Sequence, residues 1–94
     1  MTPTWATLMP KVVEALDAYL AARDRHRDAS AAVVRPEDLK MKYLGRSDWE
    51  RGEAERATSL EAEASTRAAR LQAAHALEDA LYRFAEGIAH PEVD

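Results

Sequence analysis

The sequence predicts an all-α fold: an antiparallel helical hairpin of two unequal helices with a short connecting helix, completed by dimerisation into a helical bundle. Three features carry this expectation. Apolar residues recur at steps of three and four through the first twenty positions, Pro36 and Gly45 punctuate a short middle segment, and the stretch from Ser47 to Ala89 is proline-free and rich in Ala, Glu, Arg and Leu. Ninety-four residues form a single helical domain, 1–94, and much of the apolar content is alanine, so the core of one chain is thin.

The first helix spans about 7–28, or to Val34 in a longer alternative. Trp5, Leu8, Met9, Val12, Val13, Leu16, Tyr19 and Leu20 form its apolar face, and Lys11, Glu14, Asp17, Ala18 and Ala22 form the polar one. Pro10 is compatible with a start at Thr7, because the third helical position has no intrahelical use for an amide. An alternative start, with Thr2 capping Pro3, places a kink at Pro10. Arg35 precedes Pro36 and is biased away from helical angles, which stops this helix.

Pro36 suits the first position of a short helix, about 36–44, with Glu37 and Asp38 at its positive end and Gly45 as a left-handed terminator. The long helix follows, about 48–87. Ser47 and Glu50 have the spacing of a capping box, which makes Trp49 an anchor at the helix start and Gly52 a mild loss of propensity. Gly87 marks the end, with Ile88 folding back on Tyr82 as in a Schellman cap. A rival reading breaks this helix near Thr58, where Thr58 and Glu61 form a second possible capping box.

A helix of that length overhangs a compact globule of this size, whose radius of gyration is about 12 Å. Its inward candidates are small in the first half (Ala57, Leu60, Ala64, Ala68, Leu71) and bulky in the second (Leu77, Leu81, Phe84, Ile88), so the apolar face is expected to rotate between Leu71 and Leu77. The bulky half is expected against the first helix. The alanine-lined half is left for a helix of another chain, with Trp49, Ala57, Leu60, Ala64, Ala68 and Leu71 as the partner-binding residues and Trp49 as a possible hot spot.

The absence of cysteine excludes disulfides, thiolate metal sites and cysteine nucleophiles. The glycines Gly45, Gly52 and Gly87 form no phosphate loop, and His75 with Glu78 is a single pair, not the repeated Glu-x-x-His of a di-metal bundle. The expectation is no enzyme, no metal and no cofactor. Net charge is −4 but uneven: −1 over 1–22, +3 over 23–46 and −6 over 47–94. The middle segment contains "RDRHRD", whose alternating signs suit a solvated face. Arg23, Arg27, Arg35, Lys40 and Lys42 are the candidate contacts should a polyanion or nucleic acid be bound, the less favoured alternative. No basic start precedes an apolar run at the N-terminus and no stretch is long enough to span a bilayer, so the reading is soluble and cytoplasmic.

Trp49 and Gly52 near a turn, with Tyr82 and Glu86 four apart in "YRFAE", resemble the small Trp-x-Gly family of secreted helical hairpins. The resemblance implies that Trp49 and Gly52 shape the turn and that a secretion machine reads Tyr82 with Glu86. Here the turn reads Trp49-Glu50-Arg51-Gly52, one residue longer than the family motif, and Pro36 interrupts the first helix. Taken together, the residues favour a non-enzymatic interaction protein, such as an accessory, inhibitor or adaptor subunit, that associates with its own copy or with a partner protein.

Overall fold

A computed structural model describes residues 5–35 and 46–89, which form two α-helices packed against each other and, among the described residues, no strand. Helix α1 is Trp5–Ala31 and helix α2 is Arg46–Ala89. The short helix expected at 36–44 and the Gly45 terminator lie outside the described residues. Contacts run in opposite order along the two chains: His26 of α1 bonds Glu63, and Val34, farther along, bonds Ser59, which is nearer the start of α2. The helices are therefore antiparallel. With 44 residues, α2 measures about 66 Å at 1.5 Å per residue, which sets the molecule's extents of 70 × 16 × 14 Å and its radius of gyration of 21.1 Å.

Both helices outrun their expected ends. α1 begins two residues before Thr7 and includes Pro10, whose missing amide leaves the Ala6 carbonyl without its i+4 donor. Its C-terminus tightens after Ala31: the Ala32 amide still reaches the Asp28 carbonyl at 3.0 Å, and the Val33 amide bonds Ser30 in the shorter i→i−3 pattern. α2 is unbroken at Thr58, because the Thr58 hydroxyl donates to the Ala54 carbonyl one turn back and caps nothing. Nor does Gly87 terminate it. No described glycine has a positive φ, and the helix continues to Ala89. Trp49 and Gly52 likewise lie within α2 and not in a turn, so the turn geometry implied by the Trp-x-Gly resemblance is absent.

The inward residues follow a seven-residue rhythm on both helices, with Leu20, Asp24 and Ala74 half-buried beside it. On α1 they are Leu8, Val12, Ala15, Tyr19, Ala22, His26 and Ala29, in steps of four and three, and Val33 continues the line just past the helix end. On α2 the same steps connect Gly52, Arg56, Ser59, Glu63, Thr66, Arg70, Ala73, Leu77, Ala80, Phe84 and Gly87. This corrects three expectations. Ala22, assigned to the polar face, is the buried core residue at 3% exposure. The inward face of α2 does not rotate between Leu71 and Leu77. Leu81 and Ile88, expected inside, are exposed, while Leu77 and Phe84 do turn inward.

The cause is that a two-helix rod buries only the narrow a/d seam, and in the first half of α2 this seam is polar. Tracing apolar residues there follows the neighbouring line instead. At the other end, antiparallel register brings Leu8 and Val12 to the level of the Leu77–Phe84 turn pair, where the seam is apolar. In the middle, where Ala22 is buried, a methyl group lets the backbones approach.

Replacing Ala22 by Leu overpacks this buried position and is expected to cost about 1–3 kcal/mol, or a fall of about 4–8 °C in thermal midpoint for each kcal/mol. The exposed neighbour provides the control, with Ala21→Leu expected to stay within about 0.5 kcal/mol of the parent. Circular dichroism melts of the two variants check it. Equal midpoints would contradict the seam assignment.

Candidate interaction faces and the polar seam

The seam contains a polar cluster that belongs to both helices. His26 Nε2 lies 3.0 Å from Glu63 Oε1, and Arg70 Nη1 lies 3.4 Å from His26 Nδ1. Arginine can only donate, so Nδ1 is the acceptor of that contact and Nε2–H donates to the carboxylate, and the ring bridges the two helices. Both side chains of the His26–Glu63 pair are largely withdrawn from water, at 14 and 20% exposure. Glu63 also accepts from Arg67 at 2.8 Å, one turn along α2. The hydrogen bond from His26, with Arg67 beside it, holds the Glu63 carboxyl below its ordinary value of 4.5.

One turn away, Ser59 acts as a second cross-link. Its hydroxyl donates to the Arg56 carbonyl at 2.8 Å and accepts the Val34 amide at 3.1 Å, so it satisfies a backbone group released where α1 ends. The Thr66 hydroxyl is turned to carbonyls of its own helix, Ala62 at 2.8 Å and Glu63 at 3.1 Å. Arg56 Nε is buried with no hydrogen-bond partner among the described residues. Sequence reasoning missed this cluster. "RDRHRD" reads as a solvated face, yet His26 faces inward while Arg23 and Arg27 point out and pair with Asp24 at 3.3 and 3.6 Å.

The candidate partner-binding residues divide by position. Ala57, Leu60, Ala64 and Leu71 are all exposed and fall on one line, one residue after the seam positions. Ala68 is exposed but outermost, on the line of His75 and Tyr82, and Trp49 is exposed although in line with the seam itself near the start of α2. Among the polyanion candidates, Arg23 and Arg27 are engaged by acidic neighbours, Arg35 is exposed at the end of the first described segment, and Lys40 and Lys42 lie outside the described residues. His75 stands 3.9 Å from Glu78 on the surface, and the described residues contain no group of three potential metal ligands.

The apolar line is one-sided. Nine large apolar side chains are exposed among the described residues, and seven of them, Met9, Val13, Leu16, Leu60, Leu71, Leu81 and Ile88, sit one residue after a seam position, between 38 and 60% exposed. Each step along a helix turns through 100°, and the two helices run oppositely, so the residues just after the seam on both fall on the same broad side of the rod. Among the described residues, the other broad side takes those just before the seam: Lys11, Glu14, Arg25, Glu55, Gln72, Asp79, Arg83 and Glu86 with alanines, serine and threonines, and no larger apolar group. No described helix is long and apolar enough to cross a membrane.

No family model, curated protein or solved structure matches this chain.

Because the Glu63 carboxyl is depressed in the folded state, its contribution to stability is present above pH 4.5 and is lost as pH falls through the lowered value. Wild-type protein should therefore lose unfolding free energy below pH 4.5 more steeply than Glu63→Gln, which cannot titrate there. Urea unfolding across that interval measures both slopes, and parallel slopes would remove Glu63 from the account.

Proposed function

We propose that this chain is a non-enzymatic interaction protein, an accessory, inhibitor or adaptor subunit that lays one broad side of a two-helix rod against a helix of another chain. One observation carries this reading: the concentration of exposed large apolar side chains on a single flank and their absence from the opposite one. Scattered single leucines are ordinary on a surface, but a line of them extending from Leu60 to Ile88, joined by Met9, Val13 and Leu16, has the form of a helix-docking surface.

The accessible area supports the same reading. A compact monomer of 10.5 kDa exposes about 5,400 Å², whereas this chain exposes 7079 Å². The difference exceeds the roughly 800 Å² that each partner contributes to an ordinary stable interface. On this flank Leu60 and Leu71 are the anchors, and Ala57 and Ala64 permit close backbone approach. Trp49 and Ala68 stand off this line and contribute little to it. The two exposed arginines that head the polyanion alternative are already neutralised by Asp24 and Asp28, which makes that role the weaker one.

A photoreactive benzoylphenylalanine at Ala64, on the apolar flank, should give covalent protein adducts in cells that express the chain. The same group at Ser65, on the polar flank, should not, and Leu60→Glu should suppress the Ala64 adducts. Equal labelling from both flanks, or labelling indifferent to Leu60→Glu, would refute a face-specific interaction.

A further inference from the structure

We infer that the occupant of the apolar flank is a second copy of the same chain, with the two α2 helices antiparallel about a two-fold axis between Gln72 and Ala73. The inference rests on the docking role proposed above and adds the partner and its register. Along α2 the flank reads Ala57, Leu60, Ala64, Arg67, Leu71, Ala74, Glu78, Leu81, Ala85, Ile88. Folding that line on itself about the proposed axis sets Ala57 against Ile88, Leu60 against Ala85, Ala64 against Leu81 and Leu71 against Ala74. Every apolar pairing joins a large side chain to a small one, which is the condition for two helices to interdigitate.

The two charged residues of the flank obey the same axis. Arg67 of one copy meets Glu78 of the other, and the symmetry repeats the pair. Both side chains are available for it, Arg67 at 63% exposure and Glu78 at 76%. Arg67 also holds Glu63, but a guanidinium has five N–H groups and can serve two carboxylates. Neighbouring registers fail. Sliding one helix by a heptad in one direction sets Leu60 against Glu78 and Arg67 against Leu71; in the other it sets Arg67 against Ala85 and Glu78 against Ala74. Either slip breaks both ion pairs and presses charge against apolar surface, so one register is selected by what the others cost.

α1 completes the arrangement. Met9, Val13 and Leu16 lie on the same broad side, at the level of residues 77–84 of α2, where the axis brings the Leu60–Ala64 segment of the second copy. The small residues of one long helix thus enter the groove between the bulky residues of the other copy's α1 and α2.

The test uses two single variants and their mixture, followed by sedimentation across concentration, with circular dichroism to verify helicity. Arg67→Glu alone faces glutamate with glutamate, and Glu78→Arg alone faces arginine with arginine; each homodimer should weaken by about tenfold or more. In an equimolar mixture both contacts become opposite in sign, and association should recover to within about threefold of wild type. A wild-type chain that stays monomeric at every concentration overturns the inference, as does a mixture no tighter than its components. The photo-adducts separate the two levels: face-specific adducts of a different mass would sustain the docking role while this register fell.

Discussion

The two described helices share a single interior, a seam two residues wide in every seven, and the role of each described side chain follows from its position relative to that seam. A seam position removes a side chain from water, the next residue places it on one broad side, and the preceding residue places it on the other. Because the helices are antiparallel, the flanks of α1 and α2 coincide side with side. One rod therefore presents two chemically different surfaces, although neither helix alone shows a strong amphipathic stripe. The apolar content of α2 is divided between the seam, at Leu77 and Phe84, and the flank, at Leu60, Leu71, Leu81 and Ile88.

Such a narrow interior leaves register poorly determined by apolar burial. Ala15, Ala22 and Ala29 recur at heptad spacing on α1, so a shift of one heptad presents the same methyl group to α2 at little cost. The polar contacts do not tolerate such a shift. His26 needs a carboxylate on one side and an N–H donor on the other, and Glu63 and Arg70, one heptad apart on α2, supply them together. Moving α2 by a heptad would leave at least one of these groups withdrawn from water without its partner, which costs more than an ordinary hydrogen bond gains. Ser59 adds a backbone term by taking the Val34 amide at the end of α1. The apolar end of the rod contributes cohesion and the polar end selects the alignment.

This division explains which parts were legible in the sequence. The helical class, the two long helices and the continuity of α2 follow from propensity and from the positions of the prolines, and these are seen. Local signals misled at the ends: Ser47 and Gly87 each have a cap-like sequence context, but a helix docked along its length continues through such sites when the partner helix favours it, as it also does at Thr58, the rival break. The seam of α2 was hidden because inward positions were sought among apolar residues, while Arg56, Ser59, Glu63, Thr66 and Arg70 occupy them. A usable signal lay in the glycines. Gly52 and Gly87 are both inside α2 and both on the seam, and stepping back from Phe84 by threes and fours reaches Gly52 through His26's partners. Interior glycines cost a helix about 1 kcal/mol each relative to alanine, so their coincidence on one line is a signal that this line is the inward one. Ala57, Leu60, Ala64 and Leu71 are legible from their apolar character and do share the flank. Ala68 has the same character, but the seven-residue repeat carries it to the outer edge.

The thin seam and the apolar flank are two aspects of one limitation. Alanine gives a helix intrinsic stability and close approach but little buried area, so a rod built this way gains modestly from its own seam. Displacing the large apolar residues to the flank sacrifices cohesion within the chain. Under the docking role proposed above, folding and association are linked through protein concentration, since a partner that covers the flank binds the ordered rod and not the unfolded chain. Arg67 and Glu78 make the same point from electrostatics: set in an otherwise apolar line, they weaken indiscriminate sticking and reward only a partner that brings opposite charge to both positions. A surface arranged in this way is better understood as an unfinished core than as an exposed one.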